Sequence, residues 1–179
     1  MEKSWSILCF LRMKKEIRVY YQALEQGNHF IKPILEKVIK ELGLDIDLKL
    51  VKLIGNYKYY SKSIAPIIFW KNPDILKTYV DKTEVPLIVL EFSNAVFTED
   101  HELQRFDGLV ATAKTDSIYV KISPLNKKSR SEHGGNIKFD YIAPFALINK
   151  VYKKRSYHFD WKCDDKGVVK VDNDYLSCP

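Results

Sequence analysis

The sequence predicts an α/β fold, a mixed central β-sheet flanked by helices. Three observations carry that expectation. "HFIKPILEKVIKELG" places Ile31, Ile34, Leu35, Val38, Ile39 and Leu42 on one stripe at helical spacing. "ILKTYV" and "PLIVLEFS" lie either side of the turn "DKTE", as in a β-hairpin. "PLIVLEFS" and "SIYVKIS" are then joined through a helical pattern, and such a crossover makes the two strands parallel neighbours.

The elements follow in chain order. "WSILCFL" is seven residues long, too short to span a bilayer, and lacks the pattern of a secretory signal. It reads as a strand or first helical turn. "KKEIRVYYQALEQGN" carries Ile17, Tyr21 and Leu24 near helical spacing, so a helix is expected there. Gly27-Asn28 interrupts it, with Asn28 as the N-cap of the next helix. Pro33 fits only a first turn, so that second helix starts at about Ile31 or Lys32 and stops at Gly43. "LDIDLKLVKLIGNYKYYSK" alternates as a strand or short hairpin, and "IAPIIFWKNPD" is a hydrophobic approach to the next strand.

Four consecutive aliphatic residues in "PLIVLEFS" predict a central strand covered on both faces. Thr98 is a suitable N-cap, and Leu103, Phe106, Val110 and Ala113 recur at helical spacing behind it. "SIYVKIS" alternates Ile118, Val120 and Ile122 with a polar face of Ser117, Tyr119, Lys121 and Ser123. "PLNKKSRSEHGGNIK" reads as a basic loop, "YIAPFALINKVYKK" as a helix, and "YHFDWKCDDKGVVKV" as a hairpin turning at Asp165 to Gly167.

The chain has 179 residues with 46% hydrophobic and 13% aromatic content, enough for one domain over 1–179 with a proper core. No repeat, linker or low-complexity tract divides it. The formal net charge is +6, a moderately basic balance that favours nucleic acid or another polyanion. Cys9, Cys163 and Cys178 are three, far apart and without CxxC spacing, which argues against a zinc site or disulfide framework. A reducing cytoplasm is the expected compartment, with no membrane association.

One feature of this pattern carries chemistry. Asp74 begins one strand of the hairpin and Glu91 ends the other, so antiparallel pairing brings the two carboxylates together. Glu91 shares a face with Val89, Leu87 and Ser93, while Ile88, Leu90 and Phe92 take the other. A buried carboxylate is costly, and two adjacent ones repel. A divalent cation relieves both costs: hard oxygen ligands suit Mg²⁺, which keeps its other positions for water and phosphate. Held so, the ion polarises a phosphate and lowers the pKa of bound water. The alternative reading is ordinary, with Asp74 capping a turn and Glu91 at a frayed strand end.

Pro73-Asp74, followed by Glu91-Phe92-Ser93 after an aliphatic run and then by a helix and a strand, resembles the PD-(D/E)xK nucleases. Most type II restriction endonucleases belong to that family. The resemblance covers roughly Trp70 to Ser123 and implies a restriction-endonuclease-like fold and Mg²⁺-dependent phosphodiester hydrolysis, with Mn²⁺ as a substitute. It implies Asp74 and Glu91 as metal ligands. Ser93 occupies the family's usual Lys slot, and the E-x-S form looks like the small cleaving subunits of heterodimeric type IIS enzymes.

Further candidates follow from position. Lys121, on the next strand, could swing its ammonium toward the metal-bound water. Glu25 or Glu36 is a candidate third acid, and His101, Glu102, Gln104 and Arg105 open the crossover helix near the site. Lys127, Lys128, Arg130 and Lys138 make "NKKSRSEHGGNIK" the expected DNA contact, four cations in thirteen residues with glycines that let a backbone approach. "NYKYYSKS" interleaves aromatics and lysines as strand-binding surfaces do, or as a charge-protected edge strand does. The expectation is therefore a metal-dependent endodeoxyribonuclease domain or subunit, acting on double-stranded DNA in restriction or defence. Specificity would come from a homodimer mate or a larger recognition subunit, the chain being a fragment or subunit of a larger assembly. The competing expectation is a catalytically idle module that keeps the nuclease fold.

Overall fold

A computed structural model of the chain describes residues 15–92, 99–123 and 143–160. The strands are β1 (Glu16–Tyr21), β2 (Asp47–Lys52), β3 (Ile75–Val80), β4 (Glu84–Phe92), β5 (Ile118–Ser123) and β6 (Ser156–Asp160). The helices are α1 (Lys32–Glu41), α2 (Ala65–Trp70), α3 (Glu99–Thr115) and α4 (Ala143–Val151). A wide π-helical turn, Glu25–Ile31, leads into α1, and a single 3₁₀ turn covers Tyr57–Tyr59.

The six strands form one sheet in the order β2-β1-β3-β4-β5-β6. β1 pairs with β3, and β3 with β4, in antiparallel sense; β1–β2, β4–β5 and β5–β6 are parallel. The mixed α/β architecture, the β3–β4 hairpin and the parallel β4–β5 crossover through α3 all match the pattern in the sequence. α1 also runs as expected, from Lys32 to just short of Gly43.

Both faces of the sheet are covered. On one, Tyr20, Leu76, Val89 and Tyr119 pack beneath Ile67 and Ile68 of α2, Leu109 and Ala111 of α3 and Phe145 of α4. On the other, Val19 and Ile75 are buried with Ile31, and Leu35, Leu90 and Phe92 pack around them. β4 is thus the central strand that its aliphatic run indicates.

Three expectations are corrected. The segment after Lys14 is a strand, not a helix. Ile17, Val19 and Tyr21 point to one face and Arg18 and Tyr20 to the other, and because both Val19 and Tyr20 are buried the apolar pattern loses its plain alternation. Asn28 caps nothing: it lies inside the π-helical turn, and Ile31 precedes α1 without a side-chain cap. That tight entry needs Gly27, because a Cβ there would stand 2.7 Å from Cγ of the Tyr21 ring. Finally, the polar face of β5 is the buried one. Tyr119, Lys121 and Ser123 lie under the helices, whereas Ile118, Val120 and Ile122 are only half-buried.

A register shift between Lys77 and Thr78 interrupts the hairpin, so Thr78 pairs with Pro86 and Leu87 is skipped. Pro86 cannot donate to the ladder, and a bulge is where a strand accommodates such a residue. Leu87 therefore drops out of the expected alternation with Val89 and Glu91. "LDIDLKLVK" forms the single strand β2 rather than a hairpin, and "APIIFW" closes into the short helix α2. Thr98, the "WSILCFL" segment, the basic loop and the Asp165–Gly167 turn lie outside the described residues. Among the described residues, no helix is long and apolar enough to cross a membrane.

Leu76 is fully buried and Leu42 is 65% exposed. Leu76→Ala is expected to lower the unfolding free energy in urea by about 2–5 kcal/mol, and Leu42→Ala to change it by less than about 0.5 kcal/mol.

Candidate active site

The carboxyl ends of parallel strands in an open α/β sheet are where ligands commonly bind. Here β4 and β5 end side by side, and the start of β3 lies against the end of β4. One step beyond the Ile75–Leu90 pair, Asp74 stands beside the last residues of β4. Its backbone carbonyl accepts from the Gln22 amide at 3.0 Å, and its Oδ2 accepts from the Phe92 amide at 2.7 Å. Asp74 therefore fastens the end of β4 instead of capping a local turn.

Glu91 is not at a frayed end: it is 3% exposed, on the face covered by α2 and α3. Its register partner on β5 is Lys121, which is 1% exposed. Paired residues on parallel strands project to the same face, so carboxylate and ammonium share one desolvated layer. Lys71, immediately after α2, brings its Nζ to 3.5 Å from Glu91 Oε2. α3 passes close above. A Cβ added to Gly108 would lie 3.0 Å from Tyr119 Cε2, so the ring would have to give by a few tenths of an ångström, and at ordinary contact, 3.7 Å, from Glu91 Oε1.

Burial pushes the Lys121 amine down to about 7; the Glu91 charge opposes this and the Lys71 charge adds to it. Loss of hydration disfavours the charged ammonium more than one carboxylate restores it. An amine near neutrality can accept or release a proton at physiological pH, as a solvated lysine cannot.

The row continues to β6, where His158 is the register partner of Lys121. Its Nε2 lies 2.6 Å from Ser123 Oγ, and its ring stacks on Phe145 at 5.7 Å. Asp74, Glu91, Lys121 and His158 thus occupy consecutive positions across β3, β4, β5 and β6.

The structure brings together three of the residues singled out in the sequence, Asp74, Glu91 and Lys121. Ser93 and the four loop cations Lys127, Lys128, Arg130 and Lys138 lie outside the described residues. Glu25 is exposed and Glu36 pairs with Lys32 at 3.7 Å, both in the helical layer over the opposite face, so neither joins Glu91. His101, Glu102, Gln104 and Arg105 lie in the early turns of α3. Lys71, Gly108 and His158 were missed. Lys71 was legible only as the residue two before Pro73, and β6 ended in the pattern of an ordinary hairpin.

Asp74 and Glu91 are the acids at this sheet end that could hold a cation. Among the described residues, no group of three or more His, Cys, Asp or Glu side chains converges on a common point. Mg²⁺ commonly takes only one or two carboxylates, filling its other positions with water and phosphate. Asp74 and Glu91 supply hard oxygens of that kind at one sheet end, with Lys71 sharing one oxygen of Glu91.

Compared with models of known protein families and with curated proteins, the sequence matches neither.

The lowered Lys121 pKa fixes a pH dependence. The unfolded amine holds its proton to about 10.5 and the folded one only to about 7. Between these values the unfolded chain binds more protons, so stability rises with pH there, and the burial penalty is greatest below 7. Urea unfolding in EDTA from pH 7 to 10 is expected to show this rise, on the order of 1 kcal/mol per pH unit, and Lys121→Met is expected to reduce it, leaving the part contributed by Lys77, whose amine burial also lowers.

Proposed function

We propose that this chain is a Mg²⁺-dependent DNA endonuclease domain or subunit that hydrolyses phosphodiester bonds. The observation that carries the reading is the row of Asp74, Glu91 and Lys121 on neighbouring strands, with Lys121 the buried register partner of Glu91. An acid, a second acid and a lysine with a depressed pKa are the parts required by the PD-(D/E)xK resemblance. Lys121 on β5 would supply the lysine in place of Ser93.

Asp74 and Glu91 would hold the cation, which when bound polarises the scissile phosphate. The Phe92 amide orients Asp74, and Lys71 keeps a positive charge beside Glu91. Lys121, with its amine near neutrality, would take a proton from the attacking water as that water adds at phosphorus and the P–O ester bond breaks, the leaving oxygen taking its proton from solvent. Lys127, Lys128, Arg130 and Lys138 would contact the DNA backbone. A homodimer mate or a recognition subunit would supply sequence specificity.

A second reading has its own support. Asp74 Oδ2 already accepts from an amide, and Glu91 Oε2 is already within ion-pair distance of Lys71. Such satisfied acids also suit an idle module that binds DNA without cutting it.

Nicking of supercoiled plasmid with Mg²⁺ tests both. Wild type is expected to nick, Asp74→Ala and Glu91→Ala to lose activity, and Lys121→Met to fall roughly 10²- to 10⁴-fold. Ser93→Ala should change the rate little. Cleavage that survives both acid substitutions would sink the metal-site assignment. DNA binding with no cleavage, with or without a partner chain, would favour the idle module.

A further inference from the structure

The surface beside the candidate site is aromatic and basic. From Ile54 to Asn72 the chain carries five aromatic residues and three lysines, with no Asp or Glu. Tyr60 is the one that turns inward, meeting the Tyr20 ring edge-on at 5.5 Å while its hydroxyl bonds the backbone of Ile54. The others face outward. Tyr59 is 74% exposed, Phe69 61%, Trp70 43% and Tyr57 37%. Tyr57 and Phe69 meet edge-to-face at 5.1 Å, Phe69 and Trp70 at 6.3 Å, and Lys114 Nζ from the end of α3 lies 4.9 Å from the Trp70 ring centroid.

Exposed rings gathered this way forgo the stabilisation that burial brings, and a cluster of them marks a contact surface. Charge then selects the partner. Lys58 and Lys62 are exposed on the same turn-and-helix segment, Lys114 stands over Trp70, and the segment itself carries no acid to repel a polyanion. Exposed aromatic rings with lysines on the same segment complement a strand of unpaired bases, whose faces stack on rings while phosphates meet ammoniums. A duplex hides those faces in its own stack. The surface also leads to the acids, because Lys71 follows Trp70 directly and reaches Glu91.

We infer that the Tyr57–Phe69–Trp70 surface binds an unpaired nucleic-acid strand, its bases stacking on the exposed rings and its phosphates held by Lys58, Lys62 and Lys114. The strand-binding role stands by itself. That the bound strand runs into a cutting site rests on the nuclease reading, and narrows its substrate to DNA with an unpaired stretch next to the cut.

Fluorescence anisotropy in EDTA, with labelled oligo-dT and a duplex of equal length, tests the surface. Oligo-dT is expected to bind more tightly than duplex and to quench tryptophan emission. Phe69→Leu and Trp70→Leu should each weaken oligo-dT binding roughly 5- to 150-fold. Both remain apolar and surface-placed, so circular dichroism and thermal midpoint should stay as in wild type. Unchanged oligo-dT affinity in both leucine variants, or tighter binding of duplex, overturns the inference. So does a self-associated wild type that Phe69→Leu makes monomeric without altering oligo-dT binding, because the surface would then serve a second copy. Glu91→Gln should keep oligo-dT binding while losing plasmid nicking. A wild type that binds oligo-dT but cuts no substrate supports the strand surface and sinks the nuclease reading alone.

Discussion

Glu91 and Lys121 face each other from adjacent parallel strands, both almost wholly removed from water. Glu91 has two cationic neighbours, Lys121 and Lys71, and burial draws the Lys121 amine down to about 7 in spite of the carboxylate. Much of the surrounding structure follows from keeping the pair together. β4 and β5 must run parallel in this register, which requires a crossover, and α3 supplies it. α3 crosses above the pair, with Gly108 close against the Tyr119 ring and in ordinary contact range of the carboxylate. α2 must end so that Lys71 reaches the same acid. Apolar residues of similar volume would commonly serve stability as well or better.

The same sheet contains a carboxylate handled in the opposite way. Glu84, at the turn end of the β3–β4 hairpin, accepts the hydroxyls of Tyr20 and Thr78 at 2.9 Å and of Ser61 at 2.8 Å, with Arg18 at 3.4 Å. Its backbone carbonyl takes the Ser63 hydroxyl as well. These bonds tie the 57–64 segment to the sheet and hold Glu84 in mostly neutral donors. Glu91 instead sits against ammoniums, one buried and one partly exposed. Neutral hydroxyls hold Glu84, whereas charged partners surround Glu91.

Much of the fold was legible because several elements have simple exposure. α1 has one apolar stripe, the β3–β4 hairpin has its turn residues between two strands, and the crossover obeys a general rule of handedness and pairing. β1 was misread because it is covered on both faces, so Val19 and Tyr20 are both apolar and the period of two is blurred. β5 was read with its faces exchanged in importance: isoleucines suggested the core, and a lysine and two serines suggested solvent. Helices packed on the polar side reversed that. The acids Asp74 and Glu91 were legible from their placement at strand ends after Pro73 and "LIVL". Lys71 and His158 were not, because their relevance depends on partners 20 and 37 residues away in sequence.

The sequence by itself determined the class of fold, the hairpin, the parallel crossover and the nearness of Asp74 to Glu91. Those follow from local periodicity, turn chemistry and strand pairing, which short stretches carry alone. Only the tertiary structure decided that Lys121 is buried against Glu91, that Lys71 and Gly108 complete its surroundings, and that Phe69 and Trp70 remain exposed beside it. Burial is a property of what packs above a residue. No strand can state from its own pattern which of its faces a distant helix will cover.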